Sequence, residues 1–348
     1  MRIAITADPY HPVPPKLYGG IERVVDMLAR GLVQRGHDVM LFAHPDSQTA
    51  GTLIPYGSPP HAGRRHRLVE LWQVGTGLWR RRGEIDVIHS FGRLRALVPV
   101  LPLRRLPKIQ SYQREVPWRG VQAAALMAGD SLSFTGCSTS LYRDRSRVGR
   151  LGGRWRTVFN GVDAGRYEFV PRVPPDAPLI FLGRIERIKG AHHAIHIARA
   201  AGRRLILAGN RVPAGSGADY FACEIAGHVD GARVSYVGSV DDAQKDSLLG
   251  SAAALLMPIE WEEPFGIVMA EALACGTPVI GFARGSVPEV IRDGVNGYLC
   301  STVDEAVAAV DRLPWIDRRA VRADFEVRFS GRAILDAYEG LYRDVAAR

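Results

Sequence analysis

The run Glu263-Pro264-Phe265-Gly266-Ile267-Val268-Met269-Ala270-Glu271, continued by Ala272-Leu273-Ala274 and Gly276, reads as a turn, a short helix and a helix stop. Short apolar stretches flank it at 253–257 and 278–280 and have the look of strands. Strand, turn, helix, strand is the repeating unit of a parallel sheet with crossover helices. The same run sets two carboxylates eight positions apart, Glu263 before the helix and Glu271 inside it. A helix N-terminus beside Gly266 presents backbone N–H groups to an anion or to hydroxyls. Carboxylates accept hydrogen bonds from sugar hydroxyls. The pattern suits a site that grips a sugar carried on phosphate. Taken alone, Glu263 has a second reading, as a cap that pairs with the helix dipole.

The alternation extends in both directions. In the first half, strands are expected at 2–7, 39–43, 86–89 and 131–137, with a helix over 21–34 that buries Val24, Val25, Leu28 and Leu32. In the second half, strands are expected at 178–182, 204–208 and 233–237, and an all-helical tail over 315–348. Gly and Pro concentrate between 152 and 175, which reads as an interdomain linker. The fold class is therefore α/β, with two mononucleotide-type sheets whose ligands bind outside the carboxyl ends of the strands.

A chain of 348 residues fits two domains, and 47% hydrophobic content fills two cores. No run of about 18 apolar residues spans a membrane. The first residues meet Asp8 too early for a signal peptide and read as a strand. Cys137, Cys223, Cys275 and Cys300 are scattered without CxxC spacing. That points to neither a zinc framework nor disulfides, and to a reducing cytoplasm. The net charge of +9 is lopsided: residues 1–165 carry 24 Lys and Arg against 12 Asp and Glu, and residues 166–348 carry 21 against 24. The excess is either an arginine-rich solvated face or an attraction for an anionic acceptor or acidic membrane, with the stretches 80–82 and 93–108 as the membrane candidates. No nucleic-acid module is visible. HExxH, GxSxG, a Walker A lysine loop and GxGxxG after the first strand are all absent from the sequence.

Three further constellations carry chemistry. In Gly183-Arg184-Ile185-Glu186-Arg187-Ile188-Lys189-Gly190, Arg184 leaves a strand's carboxyl end and Lys189 stands where the next helix begins. Both suit a departing diphosphate, Arg184 by a bidentate grip and Lys189 as a point charge; solvation of a surface loop is the bland reading. Gly19-Gly20 opens a helix after the first strand, either as a plain turn or for close approach to phosphate or sugar. His89 ends a strand and is expected to face the ligand crevice, although a lone histidine is as readily a satisfied core residue. Gly209-Asn210 follows another strand and can line a base pocket through backbone contacts.

Together, Gly183-Arg184 with Lys189-Gly190, the Glu263–Glu271 run, Gly276-Thr277-Pro278-Val279-Ile280, Asn160-Gly161-Val162-Asp163, Gly285-Ser286-Val287-Pro288-Glu289 and Asp293-Gly294-Val295-Asn296-Gly297 resemble the retaining nucleotide-sugar glycosyltransferases of family four. The resemblance implies a GT-B fold, two Rossmann-like domains facing each other across a cleft. Residues 1–162 would be the acceptor domain, 163–325 the donor domain, and 326–348 a helix returning to the first. It implies that Arg184 and Lys189 bind the donor diphosphate, Glu271 the ribose, and Glu263 with Phe265 and Gly266 the sugar. Gly20 would approach the phosphates, and His89 matches the family histidine near the donor sugar. The implied reaction is a front-face, retaining transfer from a UDP- or GDP-linked sugar to a hydroxyl acceptor (a glycan, a lipid-linked sugar or a natural product), with no metal and no tightly bound cofactor. The implied setting is a cytoplasmic monomer or homodimer, in contact with the inner face of a membrane at most peripherally. A nucleotide-sugar epimerase, a sugar phosphorylase and a non-catalytic nucleotide-sugar-binding module remain alternatives on the same fold. Two positions depart from the family pattern: Gln110-Ser111-Tyr112-Gln113 stands where relatives often carry a histidine, and Ala208-Gly209-Asn210 replaces a Gly-Asp-Gly-like turn.

Overall fold

The computed structural model describes residues 1–15, 19–57, 64–143, 152–212 and 219–348. They divide into two units, Met1–Asn160 with Gly331–Arg348, and Gly161–Ser330.

The first unit is built on seven strands: β1 (Arg2–Thr6), β2 (Asp38–Ala43), β3 (Thr52–Pro55), β4 (Val87–Ser90), β5 (Lys108–Tyr112), β6 (Leu132–Gly136) and β7 (Arg154–Thr157). They lie in the order β3-β2-β1-β4-β5-β6-β7, and every pairing is parallel. β4, β5 and β6 are buried along their whole length, as expected of a sheet with helices on both faces. Helix α1 (Gly20–Gln34) buries Val24, Val25, Leu28 and Leu32, the face expected from the sequence. Helix α2 (Arg64–Arg80) packs through Val74 and Leu78, and α3 is Trp118–Ala128.

Two features correct the sequence reading. β7 lies inside the stretch expected to be a linker and pairs with β6. Its sequence Arg-Trp-Arg-Thr alternates charge with apolar surface because it is an edge strand, and so it lacks the apolar run that marked the inner strands. Trp155 anchors it, stacked on Tyr142, Phe134 and Tyr112 with centroids 4.9, 5.1 and 5.6 Å away. Lys108, counted among the basic stretches offered to a membrane, is fully buried. Its Nζ donates to the carbonyls of Leu103 and Leu106, each at 2.7 Å, and burial pushes its pKa down to about 8.

The second unit holds β8 (Leu179–Leu182), β9 (Leu205–Ala208), β10 (Val234–Gly238), β11 (Ala254–Met257), β12 (Val279–Phe282) and β13 (Gly297–Cys300), all parallel, in the order β10-β9-β8-β11-β12-β13. β13 was not expected from the sequence. Its helices are α4 (Ala191–Ala200), α5 (Asp242–Ser251), α6 (Ile267–Ala274), α7 (Val287–Val290), α8 (Val303–Asp311) and α9 (Arg318–Arg328). The strand order turns back between β8 and β11, which pair directly. That reversal is where open parallel sheets leave a crevice at their carboxyl ends. The chain then returns to the first unit as α10 (Gly331–Ala346), whose Ile334, Leu335, Tyr338, Leu341 and Tyr342 are buried. Leu335 presses on α1 at Gly31, where a Cβ would stand 2.3 Å from Leu335 Cδ1. No described helix is long and apolar enough to cross a membrane.

Candidate active site

The turn after β8 and the turn after β11 meet at the strand-order reversal of the second unit. Gly190, in the left-handed region at φ 79°, makes this contact possible. A Cβ there would lie 1.9 Å from the carbonyl oxygen of Pro258, so only glycine lets the two backbones approach. Ile188 O accepts from the Glu260 amide and ties the turns together.

Lys189 and Glu263 face each other across this junction. Lys189 Nζ donates to Glu263 Oε2 at 2.6 Å and sits 4.5 Å from the Trp261 ring centroid. Trp261 Nε1 donates to the same carboxylate oxygen at 3.0 Å. Both charged side chains are largely buried. The turn after β12 braces Glu263 from behind: Ser286 N donates to its carbonyl, and Gly285 N donates to Glu262 Oε2 at 2.9 Å. Arg184 leaves β8 half-exposed and pairs with Glu186 Oε1 at 2.7 Å.

Phe265 is buried against Phe329, with centroids 5.9 Å apart, and pins the start of α6. Gly266, at φ 71°, precedes the helix, and no side chain caps it. Glu271, one turn further along α6, is 6% exposed. Its Oε1 accepts from Tyr167 Oη at 2.7 Å and Lys245 Nζ at 2.5 Å. Sequence reasoning missed Lys245, Tyr167 and Trp261. The first two lie 26 and 104 residues from Glu271, with no local pattern to flag them.

Gly209 serves the fold. Its N–H donates to Gly238 O at 2.7 Å, its carbonyl accepts from Tyr236 Oη at 2.8 Å, and a Cβ would fall 1.8 Å from Gly183 O. The Gly209 N–H is therefore paired within the sheet. Asn210 is exposed, its Oδ1 accepting from the Ser239 hydroxyl at 2.5 Å.

Gly19, Gly20 and His89 belong to the first unit. Gly20 begins α1, which has no side-chain N-cap. His89, expected to face the ligand crevice, is fully buried near the end of β4. Nδ1 lies 2.7 Å from Tyr342 Oη and Nε2 2.7 Å from Ser111 Oγ, while the ring packs on Phe91 and Tyr338. The helix that seals it, α10, is 253 residues away at Tyr342, beyond the reach of a local pattern. Burial pushes the imidazole pKa down to about 3. Because the unfolded chain takes up the proton near pH 6.5, this residue's contribution is complete above that pH and is lost as pH falls toward 3. Denaturant melts between pH 7 and 4 therefore steepen by up to about 1.4 kcal/mol per pH unit relative to His89→Asn, which removes the titrating group.

Comparison with known proteins agrees with this geometry. Residues 18–166 match the family described as Glycosyltransferase Family 4, and residues 169–320 the family described as Glycosyl transferases group 1. The chain is 27% identical to glycogen synthase of Mycobacterium tuberculosis, covering 97% of this chain and 94% of that protein. Sucrose-phosphate synthase of Thermosynechococcus elongatus superposes with a TM-score of 0.79 at 20% identity, covering 100% of both chains. HepE of Anabaena, solved in complex with UDP-glucose, superposes with a TM-score of 0.73 at 19% identity over 99% of this chain and 100% of that one. Two adjoining family matches and two parallel Rossmann-like sheets converge: the chain belongs to the family-four glycosyltransferases of the GT-B fold.

Proposed function

We propose that this glycosyltransferase moves a sugar from a UDP- or GDP-linked donor to a hydroxyl acceptor with retention at the anomeric carbon. The observation that carries the reading is the Lys189–Glu263 pair at the strand-order reversal. In the structure the cation we assign to phosphate and the carboxylate we assign to sugar hydroxyls satisfy each other. An arriving diphosphate oxygen replaces Glu263 as the partner of Lys189. Glu263, still held by Trp261, then turns its other lone pairs to the sugar hydroxyls. Arg184 exchanges Glu186 for the second phosphate. Glu271, fixed by Tyr167 and Lys245, accepts from the ribose hydroxyls.

In the chemical step the acceptor hydroxyl attacks the anomeric carbon on the face the diphosphate leaves. The C–O bond to the diphosphate breaks, its electron pair stays on the phosphate oxygen, and that oxygen takes the acceptor's proton. Lys189 and Arg184 stabilise the charge that develops there. Glu263 orients the sugar and forms no covalent bond to it.

In this reading Gly161–Ser330 is the donor unit, and Met1–Asn160 with its returning helix receives the acceptor. The excess of Lys and Arg in residues 1–165 favours an anionic acceptor. Four free cysteines fit a reducing cytoplasm. UDP-glucose in the HepE complex makes a UDP-linked sugar the first donor to try.

The test is a thermal-shift screen with UDP, GDP, ADP, dTDP and their sugars. A true donor at about 100 times its Kd stabilises the protein by about 2.7 kcal/mol. Glu271→Gln weakens that nucleotide at least about tenfold by removing a charged acceptor. Product from the winning donor keeps the donor's anomeric configuration by NMR. Inverted product, 2-epimer formed without acceptor, or release of sugar phosphate from a glycan by inorganic phosphate each defeats the reading.

A further inference from the structure

We propose that His192, His193 and Glu260 form a zinc-class divalent-cation site that clamps the turn after β8 to the turn after β11. The two histidines open α4 and come from the β8 side, whereas Glu260 follows β11. One ligand atom from each of the three falls within 4.8 Å of the others. His193 Nε2 lies 3.0 Å and His192 Nε2 3.4 Å from Glu260 Oε1. Neighbouring ligand atoms of a tetrahedral zinc stand roughly 3.3 Å apart, given bonds of about 2.0–2.2 Å. The two histidine-to-carboxylate separations match that spacing.

A second observation points to a ligand rather than a simple hydrogen-bonded cluster. His192 is 8% exposed, and its Nε2, sealed from solvent and aimed at the Glu260 carboxylate, makes no hydrogen bond. Buried polar atoms in folded proteins rarely go unpaired, and an orphan calls for a cause. Its other nitrogen, Nδ1, lies 2.9 Å from Tyr220 Oη, which also accepts from the His192 amide at 3.0 Å. A hydroxyl oxygen has two lone pairs, enough to accept from both when Nδ1 carries the ring hydrogen. In that tautomer Nδ1 carries the hydrogen and Nε2 presents a lone pair. A metal-bound histidine is held in this way, with the remote ring N–H anchored on an oxygen.

The donor chemistry agrees. Two imidazoles and a carboxylate are the donors that a divalent cation of this class takes. Arg187, with Nε 3.9 Å from Glu260 Oε2 and an ion pair to Glu224, limits the net negative charge. Two imidazoles and one carboxylate select zinc or its neighbours over magnesium or calcium, and leave a fourth position to water. None of these residues is assigned to the donor. Because Glu260 stands three residues before Glu263 and His192 three after Lys189, an ion here would stiffen both arms of the donor-binding junction.

The test uses the untagged full chain, stripped with a chelator and titrated with Zn2+ by calorimetry, with Mg2+ as control and with no sugar substrate present. One Zn2+ per chain, a raised melting midpoint, and no response to Mg2+ are expected. His193→Gln and Glu260→Gln, both on the partly exposed side of the cluster, each lower the affinity at least about tenfold. His192→Ala does the same. Absence of saturable uptake by the wild-type chain, or uptake unchanged in all three variants, overturns the site. Because the readout is metal binding, failure of the donor assignment would leave this result untouched.

Discussion

Lys189→Ala loses about 100- to 1000-fold in turnover, as expected when one preorganised donor to a developing negative charge is removed. Arg184→Ala loses a similar factor, but the two variants differ in stability. Arg184 is half-exposed and its pair with Glu186 is solvated, so its removal leaves the melting midpoint unchanged. Lys189 is mostly buried, and its removal leaves the Glu263 carboxylate, among the described residues, with only the Trp261 N–H, so the fold weakens. A second change, Glu263→Gln, restores the midpoint of Lys189→Ala by removing the uncompensated charge, yet restores no turnover. This pattern separates a catalytic role from a structural one. Recovery of activity together with stability would show that the pair only holds the turns in place. Steady-state rates and thermal melts of the four proteins decide it.

Gly190→Ala has the largest expected effect on folding. The residue sits at φ 79°, and a Cβ would lie 1.9 Å from the carbonyl oxygen of Pro258. Backbone on backbone has no rotamer to relieve the clash, so the turns must part or the second unit must loosen. A cost of about 4 kcal/mol or more is expected, the range reached only by such mechanisms. Gly202 is the control. It has φ 62° and nothing within 4 Å of its Cβ position, so Gly202→Ala costs only the left-handed conformation, about 1 kcal/mol. Equal melting midpoints for the two variants would show that the close approach at Pro258 does not constrain the fold.

Much of this architecture was legible from the chain. Inner strands such as Leu179–Leu182 and Ala254–Met257 are continuous apolar runs because both faces are covered, and they stood out. Arg184, Lys189, Glu263 and Glu271 were singled out by fixed offsets from a strand end or helix start, and the structure brings Lys189 and Glu263 together. The first sheet's edge strands were not, although the second sheet's edge strand Val234–Gly238 was. Thr52–Pro55 and Arg154–Thr157 satisfy solvent on one side and lack the apolar run. Nor were partners supplied across the sheet: Lys245 and Tyr167 on Glu271, or Tyr342 and Ser111 on His89. His192, His193 and Glu260 carry no metal-binding spacing because 67 residues separate His193 from Glu260. Only the pairing of β8 with β11 makes them neighbours.

The return of Gly331–Ala346 to the first unit bears on biosynthesis. A ribosome makes residues 1–160 first, but the helix that packs on Gly31 and seals His89 emerges only after all of 161–330. The half that starts first is thus finished last, while the half made in between can complete its sheet from contiguous chain. During that interval an apolar flank of the nascent protein stays wet and sticky, the state in which chaperones engage and aggregates start.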